Sequence, residues 1–304
     1  MQRLIRFAPR AGALLLAAIL SPNAFSEAGV DDGQAALPLV PVPLTPAGDA
    51  PLPTERPGFE VRNAAGYDQG QAIYTFRVAI ASNDRELATI SVAAGNGTTR
   101  VTFPGPLLRG TPLKWTVVAE GPNGRVESDG ARFLLASEEC ESGVDPWAKS
   151  VVSWWIPACS LAENHYDDPN QALGPPDLGG HGPDSYSGFV SLGFGGWVAV
   201  DMGACAVNGP GTDVRVFQSV SGEPVTLYAS TSPEGPWVLI NYRLYCGFPS
   251  DNYNSNHCDF DLGAGGVEEA RYLKVEDGEL FPCPGDTVTE GADLDAIQLT
   301  NQKP

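Results

Sequence analysis

Gly291-Ala292-Asp293-Leu294-Asp295-Ala296-Ile297-Gln298-Leu299 alternates acidic and apolar residues, the period-two pattern of a β-strand. Asp293 and Asp295 stand two residues apart, so they share a strand face and can converge on one cation. The plainer alternative leaves both carboxylates in water, where most acids of a folded protein lie. The strand also closes a string of motifs that opens at Ala172-Leu173-Gly174-Pro175-Pro176-Asp177. Its reading therefore governs the C-terminal half.

Working outward, the other strand candidates of this half are 196–202, 213–217, 225–229, 237–240 and 271–275. Runs this short, with Gly, Pro and Asp between them, suit a two-sheet jelly roll. Gly193, Gly195 and Gly196 read as a tight turn before a strand, since no helix pattern follows them to make a phosphate cradle. Asp213, after Gly209-Pro210-Gly211, is expected to close its turn with its carboxylate.

The same principle of alternation applies upstream. Ile73-Tyr74-Thr75-Phe76-Arg77-Val78-Ala79-Ile80 gives one buried face, and further strands are expected at 88–92, 100–103 and 113–120. Residues 27–57 contain Leu37-Pro38-Leu39-Val40-Pro41-Val42-Pro43-Leu44-Thr45-Pro46, and are expected to form a semi-rigid, extended linker. At the N-terminus, Arg3, Arg6 and Arg10 flank the apolar run 11–20, followed by Ala24 and Ser26. That is the pattern of a signal peptide cut after Ser26, and the run is too short to span a bilayer at about 20 residues. Four regions follow: 1–26 signal peptide, 27–57 linker, 58–137 sandwich and 138–304 jelly roll.

Formal net charge is −19, and residues 141–304 carry 23 acids against 6 bases, a difference of −17. Nucleic acids and anionic membranes need basic patches, so neither is an expected partner, and no transmembrane segment is expected in the mature chain. A divalent cation remains compatible. Six cysteines in an exported chain favour disulfides. Cys140–Cys159 and Cys246–Cys258 are expected as sequence neighbours, with Cys205–Cys283 by elimination.

Thr111-Pro112-Leu113-Lys114-Trp115-Thr116-Val117-Val118-Ala119, followed by Gly124 and Ser128, resembles the late strands of a fibronectin type III domain. An early-strand Trp is missing, which leaves an immunoglobulin-like sandwich of another type open. The C-terminal string runs from Tyr166-Asp167-Asp168-Pro169-Asn170-Gln171 and 172–177 through 190–196, 209–217, 225–230 and 233–237 to 271–277 and the Asp293/Asp295 strand. In this order it resembles the bacterial cell-surface-protein domain of the galactose-binding-like, discoidin-related jelly-roll class. The fold expected is thus all-β, a fibronectin type III-like sandwich before a galactose-binding-like jelly roll. The resemblance implies an exported, noncatalytic domain at the cell surface or beyond it, binding a glycan or other envelope component, often with structural calcium. Six cysteines, and Gln218 where an acid commonly follows Phe217, depart from the usual pattern.

If the loop before Ala172 sits beside the last strand, Asp168, Asn170, Asp177, Asp293 and Asp295 can supply oxygens to calcium; the alternative is that they cap turns. The segment 241–258 is rich in Tyr, Asn and Ser, the composition of a recognition loop. Tyr242, Tyr245, Asn252, Tyr253 and Asn254 are its ligand candidates, preorganised by a Cys246–Cys258 bridge. Trp154-Trp155 and Tyr186/Phe189 are further aromatic candidates, though paired Trp in a β domain more often fill a core. No GxSxG elbow, HExxH pair or Walker loop occurs, so an enzyme is not expected. A glycoside hydrolase would need two carboxylates at the right spacing, for which Asp261 and Asp293 are candidates.

Overall fold

Tyr74, Phe76, Val78 and Ile80 are fully buried while Thr75 and Arg77 between them face outward, as the period of two requires. They lie on β4 in a computed structural model that describes residues 39–68, 70–140, 145–157, 166–177, 188–219, 223–247, 256–278 and 291–304. The first nine strands are β1 (Val42–Thr45), β2 (Pro51–Leu52), β3 (Gly58–Arg62), β4 (Ile73–Ile80), β5 (Glu86–Ala93), β6 (Thr98–Thr102), β7 (Leu113–Gly121), β8 (Gly124–Glu127) and β9 (Ala131–Leu135). One sheet is β1-β3-β6 and the other β2-β9-β7-β4-β5, with β8 paired to β7. Trp115 joins the two. Its ring meets Phe59 edge-on at 5.2 Å and stacks on Phe76 at 5.9 Å, and its Nε1 donates to the Pro46 carbonyl at 2.7 Å.

That last bond corrects the linker. Within 27–57, β1 pairs antiparallel with β3 and β2 pairs parallel with β9, so part of the segment is built into the sandwich. Proline fits because both strands lie at sheet edges, where a missing N–H costs no ladder bond. Residues 1–38, with the expected signal peptide, lie outside the described residues.

The remaining strands are β10 (Ser150–Trp155), β11 (Val190–Ser191), β12 (Trp197–Val207), β13 (Val214–Gln218), β14 (Pro224–Ser230), β15 (Val238–Tyr245), β16 (His257–Phe260), β17 (Glu269–Asp277) and β18 (Asp293–Leu299). They form the antiparallel sheets β10-β12-β17-β14-β15 and β11-β18-β13-β16. Val198, Val200, Val225, Leu227, Leu273 and Val275 of the first pack into one core with Val214, Val216, Leu294, Ile297 and Leu299 of the second. The all-β class expected from the sequence is what is observed. Among the described residues no helix is long and apolar enough to cross a membrane.

Residues Leu37–Pro304 form one unit, and hydrogen bonds cross between its two sandwiches. Glu268 N donates to Thr111 Oγ1 at 3.0 Å, Arg109 N to Thr231 Oγ1 at 3.1 Å and Asn83 Nδ2 to the Gly265 carbonyl at 2.9 Å. The connector after β9 is held down by Arg271. Its guanidinium grips both Asp201 oxygens at 2.8 Å and reaches Glu138 Oε1 at 3.3 Å. This course explains the cysteine pairing. Cys246–Cys258 is joined as expected, but Cys140 is bonded to Cys205, which corrects both Cys140–Cys159 and Cys205–Cys283. Sequence proximity counted only loop length, whereas the connector is drawn onto β12, where Cys140 and Cys205 have Cα atoms 5.6 Å apart. Cys159 and Cys283 lie outside the described residues. Disulfides are the linkages of an oxidising compartment.

Asp213 closes its turn as expected. Its Oδ1 accepts from Gly209 N at 3.0 Å and Asn301 Nδ2 at 3.3 Å, and its Oδ2 from Leu262 N at 2.9 Å. Asp213→Ala strands these donors, so denaturant unfolding of the full chain should show a loss of about 2–4 kcal/mol. Asp213→Asn, which keeps one acceptor oxygen, should lose less.

Candidate functional site

β18 is buried on both faces, which explains why its acids are not in water. Beneath it lies the core. Above it a turn of 3-10 helix, Pro169–Ala172, packs against the strand, and Trp147 bridges to Gln298 while its ring meets Phe217 at 5.7 Å. Ala148 N donates to the Ile297 carbonyl at 3.2 Å and Gly174 N to the Ala148 carbonyl at 3.1 Å. Under this roof Asp293 is 4% and Asp295 1% exposed, so the solvent-facing alternative fails.

The pairing with β13 shifts at this point. Phe217 faces Ala296 and Gln218 faces Leu294, so Asp295 is the extra residue of a bulge. Asp295 Oδ1 accepts from Asp177 N at 3.3 Å. Asp293 Oδ2 accepts from Ser219 Oγ at 3.1 Å, and Asp293 N donates to Glu223 Oε2 at 3.2 Å. Asp295 Oδ2 and Asp293 Oδ1 are buried without a hydrogen-bond partner among the described residues, as are both polar atoms of Gln218. Burial pushes the Asp293 carboxyl up to about 6, opposed by the Ser191 and Ser219 hydroxyls. Burial likewise raises Asp295 to about 6; the Asp177 N–H opposes the rise and the Asp177 carboxylate adds to it.

Asp177 and Asp295 therefore meet, Asp293 turns to Ser219 and Glu223, and Asp168 and Asn170 are engaged elsewhere. The oxygens of Asp177, Asp293 and Asp295 do not all lie within 4.8 Å of one another. Asp168 Oδ1 accepts from Asn170 N at 3.0 Å and Asn170 Nδ2 at 2.8 Å, closing the exposed cap of the 3-10 turn. The first of these bonds holds the Asp168 carboxyl below its ordinary range. Gly188, at φ 102°, leaves room that a Cβ would take only 2.6 Å from Asp177 Oδ1. The sequence reading missed Ser191, Ser219 and Glu223, because contact between β11, β18 and the β13–β14 turn is not a matter of spacing. Calcium favours oxygen donors gathered at about 2.3–2.6 Å from one point, and the structure does not gather these acids into such a set. Cys140, Cys205 and Glu269 do converge, but the two sulfurs are spent in a disulfide.

Of the expected ligand residues, Tyr242 and Tyr245 lie half-exposed on edge strand β15, next to the Cys246–Cys258 staple. Asn252, Tyr253 and Asn254 lie outside the described residues, as does Tyr186. Trp154 and Trp155 are half-exposed on edge strand β10 rather than in a core. Phe189 is buried, stacked on Tyr166 at 4.8 Å. Asp261 caps a 3-10 turn by accepting from Gly263 N at 2.7 Å. It follows Phe260, level with Val214 and Leu299, whereas Asp293 lies past Gln218 at the other end of β13. At about 3.3 Å per residue this separates the two acids by roughly 20 Å, beyond the ~5–9.5 Å that glycoside hydrolysis uses.

No family model matches the chain, and no curated protein matches it. Among solved structures, the alpha-L-rhamnosidase of Streptomyces avermitilis complexed with L-rhamnose aligns with 88% of this chain and 24% of its own. Identity is 12% and the TM-score 0.26. The chain thus spans about a quarter of that protein, and so slight a likeness carries no argument about activity.

The buried acids set a pH dependence. Their folded values near 6 stand above the ordinary 3.8, so each ionised carboxylate opposes folding above pH 6. Native-state protonation relieves that penalty as pH falls from 6 toward 4. In chelator, Asp293→Asn should raise the melting temperature at pH 7, with the gain over wild type vanishing by pH 4. A gain that does not change with pH would remove this account.

Proposed function

We propose that this chain is an exported, noncatalytic surface protein whose C-terminal sandwich binds a glycan or other envelope component. The observation that carries the reading is the placement of Tyr242 and Tyr245, half-exposed on a sheet edge whose end is stapled by Cys246–Cys258. Aromatic side chains held rigid at a surface bind with little loss of conformational freedom. The order β1-β3-β6 against β9-β7-β4-β5 supports a fibronectin type III-like first domain. The second is read as a galactose-binding-like jelly roll. A structural calcium belongs to this reading, with Asp295 and the adjoining Asp177 as its acids. The hydrogen bonds and the Arg271 clamp between the sandwiches favour a second reading, a rigid envelope spacer with no ligand of its own.

On a glycan array, Tyr242→Ala/Tyr245→Ala should lose at least about tenfold in binding without lowering the melting temperature. Binding equal to wild type overturns the loop-edge site, and an array blank for wild type favours the spacer. Chelation at pH 7 should lower the melting temperature, and calcium at about 100 times its Kd should add about 2.7 kcal/mol. An unchanged midpoint would remove the ion.

A further inference from the structure

The five-stranded sheet β10-β12-β17-β14-β15 has a second face, turned away from the core, and its pairing fixes what that face carries. Trp155 stands opposite Trp197, Trp197 opposite Glu276 and Glu276 opposite Thr226. The next row is Ser153, Ala199, Lys274, Tyr228 and Leu239. Lys274 Nζ lies 4.1 Å from the centre of the Tyr228 ring, 5.5 Å from that of Trp197 and 3.6 Å from Glu276 Oε2. The Tyr228 hydroxyl bonds Glu276 and senses the phenol of Tyr242. Trp155 is 52% and Tyr242 54% exposed. Rings thus run from one edge strand to the other around an interior Lys–Glu pair.

From this face we infer a binding platform for a neutral, extended polysaccharide. The inference rests on reading the C-terminal sandwich as a glycan binder, and names its ligand class and its face. Sugar rings present C–H faces that lie on aromatic rings and a rim of hydroxyls that needs donors and acceptors. Here the indoles and phenols supply the first, and Lys274, Glu276 and Ser153 the second, while Thr226 is buried beneath them and accepts from Arg243 N. The Lys274–Glu276 pair leaves the face neutral in a chain of net charge −19, so an acidic polymer or anionic membrane would be repelled and a neutral chain would not. A protein partner would call for a dense apolar centre, and Leu239 is the one aliphatic side chain larger than Ala in these two rows. Four strand spacings of about 4.8 Å put roughly 19 Å between the outer strands, a length for several sugar units rather than one. The platform is preorganised, since its rings sit on strands and Lys274 fixes two of them.

The test is retention of the full chain on cellulose, chitin, xylan and starch, with pectate as an acidic control, for wild type, Trp155→Ala, Trp197→Phe and Tyr245→Ala. Wild type should bind at least one neutral polymer and not pectate. Trp155→Ala should weaken that binding about tenfold at an unchanged melting temperature, with Trp197→Phe affected less. The bound polymer should also shift the tryptophan emission of wild type. Retention that survives Trp155→Ala but fails with Tyr245→Ala overturns the platform and leaves the loop-edge site standing. Wild type binding pectate, or no polymer at all, overturns the platform too, with the glycan array still deciding the broader reading. Light scattering that shows a Trp155-dependent dimer would assign the face to a second copy of the chain.

Discussion

Asp213 is the charge on which the C-terminal sandwich closes. Its carboxylate joins three segments distant in sequence: the loop at Gly209, the turn at Leu262 and the tail at Asn301. Its own carbonyl accepts from Thr300 N at 2.9 Å. A fold of many short strands has many loops, and each loop that dives under another carries N–H groups that water cannot reach. A carboxylate accepts several of them at once. Asp277 does the same nearby, taking Gly195 N and Ala292 N at 3.0 Å each and so locking the Gly193–Gly195 turn to the start of β18. Without these acceptors the loops at Gly209, Leu262 and Gly195 and the tail at Asn301 would lose their ties to β13, β17 and β18.

This use of acids gives a criterion for sorting them. A carboxylate whose oxygens are filled by backbone donors is explained by the fold: Asp168, Asp213 and Asp261 belong here. Asp201 is explained by Arg271. Asp293 and Asp295 are different, because each keeps a buried oxygen without a donor among the described residues. Burying an unpaired carboxylate oxygen is costly enough that the group either holds a proton or meets a cation. The raised values of both are the first outcome, and a bound ion would be the second. A cation held at either acid would compete with that proton, so its affinity would fall as the acid protonates.

The strands were legible where alternation was clean. The range 73–80 coincides with β4, and 113–120 falls within β7, because Tyr74, Phe76, Trp115 and Val117 repeat every second residue against polar neighbours. Illegible were β1 and β2, whose prolines hide edge strands, and the fate of Cys140, which depends on how the connector lies on β12. The acids at 293 and 295 were legible as a pair but not as buried. Their burial comes from Trp147 and the 169–172 turn, both more than a hundred residues away in sequence. The sheet-face aromatics were illegible for the same reason. Trp155, Trp197, Tyr228 and Lys274 come together only through the order β10-β12-β17-β14.

The exposed rings lie beside two open sheet edges, which raises the question of why the chain would not simply add strands there. Unpaired edges invite association. Both edges are blunted in this protein. On β10 the register shifts between Val151 and Ser153, and Pro157 follows the strand. On β15 it shifts twice, Arg243 adopts a φ of 53°, and the disulfide to Cys258 pins the end of the strand. Bulges twist an edge out of the plane a partner strand needs, without turning away the side chains on the face. Edge pairing is thus suppressed while Trp155 and Tyr242 stay open. That combination suits a ligand lying across the face far better than a strand joining its side.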